Sequence, residues 1–348
     1  MSPFKTGIEL HILYNCNIDY SLPEAPVLYC DNSELLVEKY MITTGRHGDE
    51  KRIYSGRGTI MLWGMMPPFT KLLLSGLSNA KTVFISSMIA FIFMAVLNLA
   101  CGNLKRFLQY RPKDYVKMIA LGFMGKFLYS VLYFYGLSGL AAGDACIINY
   151  LWPVMTVVFS CLWLGERFTW RKSMAIFASF SGVVLVASKG SMEGLLSGNL
   201  RGIVSCVAAA VCYGAFNVLN KKENRDQFVS MTVYFFSAAL FSGIWFLAEG
   251  ESIALTGAQT AGIIWLGVFM DAAAFLMWAL ALQNGDTAKL SNFAYITPFM
   301  AVLYSALLLN EPVDRYSVIG LLLIMGGIFV QMGGSERGAS LFKRKRIA

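Results

Sequence analysis

Histidine is almost absent from this chain: His11 and His47 are its two copies, and both precede the first long apolar run. A histidine-liganded metal centre inside the apolar segments is thereby excluded. Charge is scarce as well. Lys, Arg, Asp and Glu make up 14% of the 348 residues, and 56% are hydrophobic, whereas about a quarter of a soluble domain is charged. That balance excludes an ordinary soluble fold and describes an all-α integral membrane protein. The seven cysteines lie mostly in apolar segments and form no CxxC pair, which removes a disulfide framework and a zinc site from consideration. There is no HExxH, no GxSxG and no pair of close carboxylates inside the apolar segments, so neither a catalytic residue nor a cofactor is expected. The net charge of +8 comes from short Lys/Arg clusters between apolar runs. Without a basic face carrying interleaved aromatics, these clusters read as topology signals and not as a nucleic-acid surface.

What the chain does have is a duplication. Asn149-Tyr150-Leu151-Trp152-Pro153 is followed thirteen residues after the proline by Glu166, and Tyr295-Ile296-Thr297-Pro298 is followed by Glu311 at the same distance. One offset of 145 carries Tyr150, Pro153, Glu166 and Gly182 onto Tyr295, Pro298, Glu311 and Gly327. The unit is repeated, and the organisation follows from it.

From Thr59 the hydropathy breaks into ten segments, each near the ~20 residues an apolar helix needs to cross a bilayer. They run 59–77, 82–101, 115–137, 141–164 and 172–188 in the first half, then 201–220, 228–248, 260–282, 287–309 and 316–332 in the second. Residues 1–57 are polar, lack the layout of a signal peptide and are expected as a disordered cytoplasmic tail; Met41 is an alternative natural start. The expected units are 58–189, 200–332 and a basic cytoplasmic tail at 333–348. Placing both termini in the cytoplasm puts nearly all Lys/Arg clusters on that side and leaves Lys81, Lys189, Arg201 and Arg315 opposite. An odd number of helices per unit then inverts the second copy relative to the first, with a substrate site expected between them near the midplane.

Proline in the first half of a spanning helix removes a donor and opens the preceding turn. Pro153 and Pro298 are read as kinks, with Tyr150, Trp152 and Tyr295 lining a cavity beside them; a kink that serves packing alone is the competing reading. The first segment carries Trp63-Gly64 and the consecutive Pro67-Pro68, also expected to kink, and then Lys71. The sixth carries Tyr213-Gly214 and ends at Lys221, an offset of 150. Aromatic-Gly in both copies suggests a close helix crossing, and Lys71 is expected to snorkel to the surface. Glu166 and Glu311 are expected as anchors or caps at helix ends. Asp144 is expected as a helix N-terminal charge. Lys126 and Asp271 each lie eleven residues into an apolar segment and map onto one another at the offset of 145. Buried at that depth, each should face a partner or a wet cavity. A structural ion pair, a clamp on the two ends of a zwitterion, and proton coupling through Asp271 all remain open.

The duplicated five-helix unit, the repeated Tyr-x-x-Pro followed by Glu, and the Trp63-Gly64 to Lys71 opening resemble the EamA-type transporters of the drug/metabolite transporter (DMT) superfamily. The run Asn149 to Pro153, together with Trp278 and then Tyr295-x-x-Pro298, is similar to the YddG-like branch of aromatic and neutral amino-acid exporters. The resemblance covers about 58–332. It implies ten transmembrane helices as two inverted repeats and alternating access. It also implies efflux of aromatic or neutral amino acids, or related small metabolites, across a bacterial inner membrane. Site residues expected on this basis are Trp63, Tyr150, Trp152, Trp278 and Tyr295, to which the depth of their charges adds Lys126 and Asp271. The expected partners are a small-molecule substrate and the lipid bilayer, with protons as a candidate coupling ion, no nucleic acid, and a monomer or homodimer. The long N-terminal stretch, Lys126 and Asp271 depart from that pattern. Export of cationic drugs or other metabolites by proton exchange is the alternative, followed by a non-transport membrane scaffold.

Overall fold

The computed structural model describes residues 47–191, 199–223, 225–278 and 296–332, and all regular structure among them is helical. Helix α1 spans His47–Leu74 and α2 Asn79–Ala100. A continuous rod follows, made of α3 (Pro112–Gly122), a π-helical segment π1 (Phe123–Leu128) and α4 (Tyr129–Gly139). The next rod is interrupted between α5 (Ala142–Asn149) and α6 (Trp152–Trp163), and α7 spans Trp170–Ser188. The second half supplies α8 (Leu200–Glu223), α9 (Gln227–Glu249), α10 (Gly257–Trp265) and a second π-helical segment π2 (Leu266–Ala273). It ends with α11 (Thr297–Leu309) and α12 (Arg315–Met332). Seven of the described rods are long and apolar enough to cross a membrane, and α11 and α12 are shorter apolar helices.

Helix α1 starts at His47, well before the apolar pattern that placed its first residue at 59. The preceding polar residues contain no proline between His47 and Tyr54, and Asp49-Glu50 followed by Lys51-Arg52 suits a helical first turn. Hydropathy marks where a helix becomes apolar, which is a different boundary from where it begins. Residues 1–46 and 333–348, expected as tails, lie outside the described residues.

The pairing of helices repeats between the halves. Helix α1 packs on α11 as α8 packs on α6, and α2 packs on π2 as α9 packs on π1, while α2 with α9 and α7 with α12 close the set. Exchanging the two halves leaves this list unchanged. In the last pair, small residues bring backbones together: a Cβ on Gly182 would lie 2.6 Å from the Gly320 carbonyl oxygen, and one on Gly327 would lie 2.7 Å from that of Ala175. Without water to drive helices together, such close contact supplies the association energy. Gly182→Leu is expected to destabilise this crossing by about 1–3 kcal/mol through overpacking. Gly326→Leu, at a glycine whose added Cβ would meet nothing within 4 Å, is expected to leave thermal unfolding in detergent unchanged.

Candidate functional site

The site begins with two glycines that periodicity does not reveal. Gly122 ends α3 just before π1, and Gly267, at the offset of 145, lies in the first turn of π2. A Cβ on Gly122 would lie 2.7 Å from the Tyr234 Cα, and one on Gly267 would lie 2.7 Å from the Ser86 carbonyl oxygen. Each glycine therefore lets the backbone of a helix from the other half approach its own. The wider π turn accommodates an extra residue and re-aims the side chains after it, a feature that recurs at functional sites. Those side chains include Lys126 and Asp271.

Both charges are inside, Lys126 at 3% exposure and Asp271 at 8%. They are electrostatic neighbours. Lys126 Nζ, however, has no hydrogen-bond acceptor among the described residues, the Asp271 carboxylate included. It rests against the face of Phe275 and lies 4.9 Å from the centroid of Phe235. Aromatic faces offset part of the charge and accept no conventional hydrogen bond in return.

From Phe275 an aromatic network spreads to every described element that carries a predicted site residue. Trp63 of α1 stands 5.1 Å from Phe275 and 5.4 Å from Trp278. Tyr213 of α8 touches Phe275 at 6.2 Å, Trp152 at 5.3 Å and Tyr129 at 4.9 Å, and Tyr150 joins through Trp152 at 6.1 Å. Trp63, Lys126, Tyr150, Trp152, Asp271 and Trp278 are thus gathered into one place, while Tyr295 lies outside the described residues. Phe275, Tyr129 and the central position of Tyr213 went unread in the sequence. The available signal was helical spacing, since Phe275 follows Asp271 by four residues and Tyr129 follows Lys126 by three.

The prolines explain how α5 and α6 present these groups. Pro153 sits in the first turn of α6, and Pro298 occupies the same place in α11. There the missing N–H removes no helical hydrogen bond, so the break falls at Tyr150-Leu151 and exposes the end of α5. Pro67 and Pro68, by contrast, lie within α1 without interrupting it. At the break, Asn149 Nδ2 donates to the Tyr129 hydroxyl at 3.1 Å, while Asn149 Oδ1 has no partner. Trp63 Nε1, Asn217 Nδ2 and Thr297 Oγ1 are also buried without partners. Each such group costs about 1–3 kcal/mol when left unmade.

At one end of the bundle is a clasp. The Glu311 carboxylate accepts the Ala142 N–H at 2.7 Å, at the start of α5, and pairs with Lys71 at 2.7 Å. Lys71 also donates to the Leu140 carbonyl. Lys71 therefore does not simply snorkel as expected, because a carboxylate from the opposite half of the chain reaches its ammonium group before solvent does. Glu311 follows Asn310, and Glu166 follows Gly165; both preceding residues have positive φ, at 51° and 68°. Each glutamate N–H returns to the carbonyl of a serine six residues earlier, Ser305 or Ser160, at 3.4 Å. Both helices thus end on a residue in the left-handed conformation. Among the described residues the equivalent glutamate, Glu166, is 44% exposed and pairs with Lys172 at 3.1 Å, while Lys221 is exposed.

Two similar helical halves, long and apolar enough to cross a membrane and packed against one another, are the build of a multi-pass membrane protein. The chain belongs to the EamA-like transporter family, whose model matches residues 56–188 and again 200–332. An "Uncharacterized transporter" of Archaeoglobus fulgidus is 27% identical over 277 residues, covering 78% of this chain and 95% of the relative. The "Aromatic amino acid exporter YddG" of Ancylobacter novellus is 24% identical, covering 60% and 73%, and the "Probable terminal-alkyne amino-acid exporter" of Streptantibioticus cattleyicolor is 26% identical, covering 78% and 90%. A solved crystal structure shares the fold with a TM-score of 0.61 at 20% identity, covering 83% of this chain and 98% of its own.

Proposed function

We propose that this protein carries aromatic or other neutral amino acids, or closely related small metabolites, by alternating access through a site between its two halves. The observation that carries the reading is the buried aromatic network around Lys126 and Asp271, its rings drawn from both halves of the chain, with unpartnered polar atoms at Trp63, Lys126 and Asn149 among the described residues. Relatives named as exporters of amino acids favour that cargo. In this reading the chain crosses the membrane ten times as two inverted five-helix units, and the exchange-invariant helix pairing supports such a relation. The clasp of Lys71 and Glu311 ties the two halves together at one end of the bundle, as a closed face of such a carrier requires. In this reading both termini lie in the cytoplasm of a bacterial inner membrane, which the Lys/Arg distribution favours, and the relatives named as exporters favour efflux. A simple cationic drug fits less well, because the Lys126 charge stands beside Asp271 and repels it.

Purified protein in liposomes loaded with labelled phenylalanine, threonine, a nucleoside or a cationic dye tests this reading. Faster loss of an amino-acid label than from protein-free liposomes is expected. Loss of the dye alone, or of none of the four, contradicts the proposal.

A further inference from the structure

Resting on the reading just given, we infer that Lys126 holds the carboxylate and Asp271 the ammonium of one zwitterionic substrate, so that a single molecule bridges π1 of the first half and π2 of the second. Lys126 carries three N–H donors and none has an acceptor among the described residues. An ion pair serving only structure would have closed on the neighbouring Asp271. Instead the two charges stand apart at matching positions of two π-helical segments, each oriented by a glycine against the other half. Their sum is zero. A guest that is itself neutral but carries both charges satisfies each group without leaving net charge in the buried centre, whereas a lone carboxylate or a lone amine leaves one behind.

The surrounding groups divide in the same sense. Among the described residues, Trp63 Nε1 is an unpartnered donor that suits a carboxylate, and Asn149 Oδ1 is an unpartnered acceptor that suits an ammonium. The rings of Trp63, Trp152 and Tyr213 leave an apolar setting for the remaining part of the molecule.

Three probes separate the assignments: L-phenylalanine, 3-phenylpropionate, which lacks the ammonium, and phenethylamine, which lacks the carboxylate. Competition against labelled phenylalanine on the full chain in liposomes is the readout. The wild type is expected to prefer phenylalanine over either analogue by at least about a hundredfold, since a site built to bond a polar group rejects the analogue lacking it. Lys126→Gln is expected to shift preference towards phenethylamine and Asp271→Asn towards 3-phenylpropionate, each losing affinity for phenylalanine. Wild-type protein that accepts either analogue as well as phenylalanine overturns the assignment, even where a variant fails to fold. Folded variants that retain the wild-type ranking overturn it as well. Wild-type protein that binds none of the three, while carrying a cargo outside amino acids, overturns the proposed function instead.

Discussion

Glu311→Ala is expected to reduce substrate exchange by about a hundredfold, more than any other single change at the edge of the bundle. The carboxylate serves two partners at once, the Lys71 ammonium and the Ala142 N–H, each at 2.7 Å. The pair is partly buried, with the side chains 27% and 16% exposed, so its loss stands below the ~3–5 kcal/mol of a fully buried pair. A value of about 2–3 kcal/mol in the closing equilibrium is reasonable once solvent screening of the exposed portion is allowed for. Since 1.4 kcal/mol is tenfold, that range spans about thirty- to a hundredfold. Glu311→Gln keeps an acceptor for Ala142 and loses only the charge, so a smaller loss is expected. Lys71→Met should resemble it, and the double variant should add little, because both changes remove one interaction. Reversing the charges with Lys71→Glu and Glu311→Lys should not restore exchange, since a lysine at the start of α5 opposes the helix dipole. Restoration by the reversal would show that the ion pair alone matters and that the helix cap does not.

Gly214→Leu is expected to abolish transport. A Cβ at Gly214 would lie 2.5 Å from the Met155 Cβ and 2.9 Å from the Thr156 backbone N, against the first turns of α6. Its counterpart Gly64 brings α1 against α11, where a Cβ would lie 2.6 Å from the Met300 Cβ and 3.4 Å from the Thr297 carbonyl oxygen. Both crossings press on the first turn of a helix, just past its proline and close to the residue before it, Trp152 or Thr297. A leucine at either glycine separates these helices at a cost of about 3 kcal/mol or more. Alanine provides the finer test. Gly214→Ala meets backbone at 2.9 Å, which yields less than a side chain, so it should lower transport more than Gly64→Ala does. Size-exclusion profiles and thermal unfolding of both variants separate a misplaced site from an unfolded chain.

The sequence carried much of this arrangement because rare residues in an apolar setting are conspicuous. Lys126, Asp271, Pro153 and Pro298 stood out against their surroundings, and the offset of 145 linked them before any helix was placed. The π-helical segments were not legible, since backbone widening depends on what packs against it, here Tyr234 on Gly122 and Ser86 on Gly267. The clasp was equally hidden. Lys71 and Glu311 are 240 residues apart, and each has an ordinary interfacial explanation when read alone. Phe275 was lost among apolar neighbours because hydropathy does not distinguish a ring facing a lysine from one facing lipid.

Alternating exposure of one central site is tested most directly by counterflow in liposomes containing the purified full-length protein. Vesicles preloaded with unlabelled phenylalanine should take up external labelled phenylalanine faster than empty vesicles, with a transient overshoot, because a carrier returning with substrate bound re-exposes its site. Uptake unaffected by internal substrate, under conditions where phenylalanine is demonstrably bound, would contradict an alternating carrier built around Lys126 and Asp271.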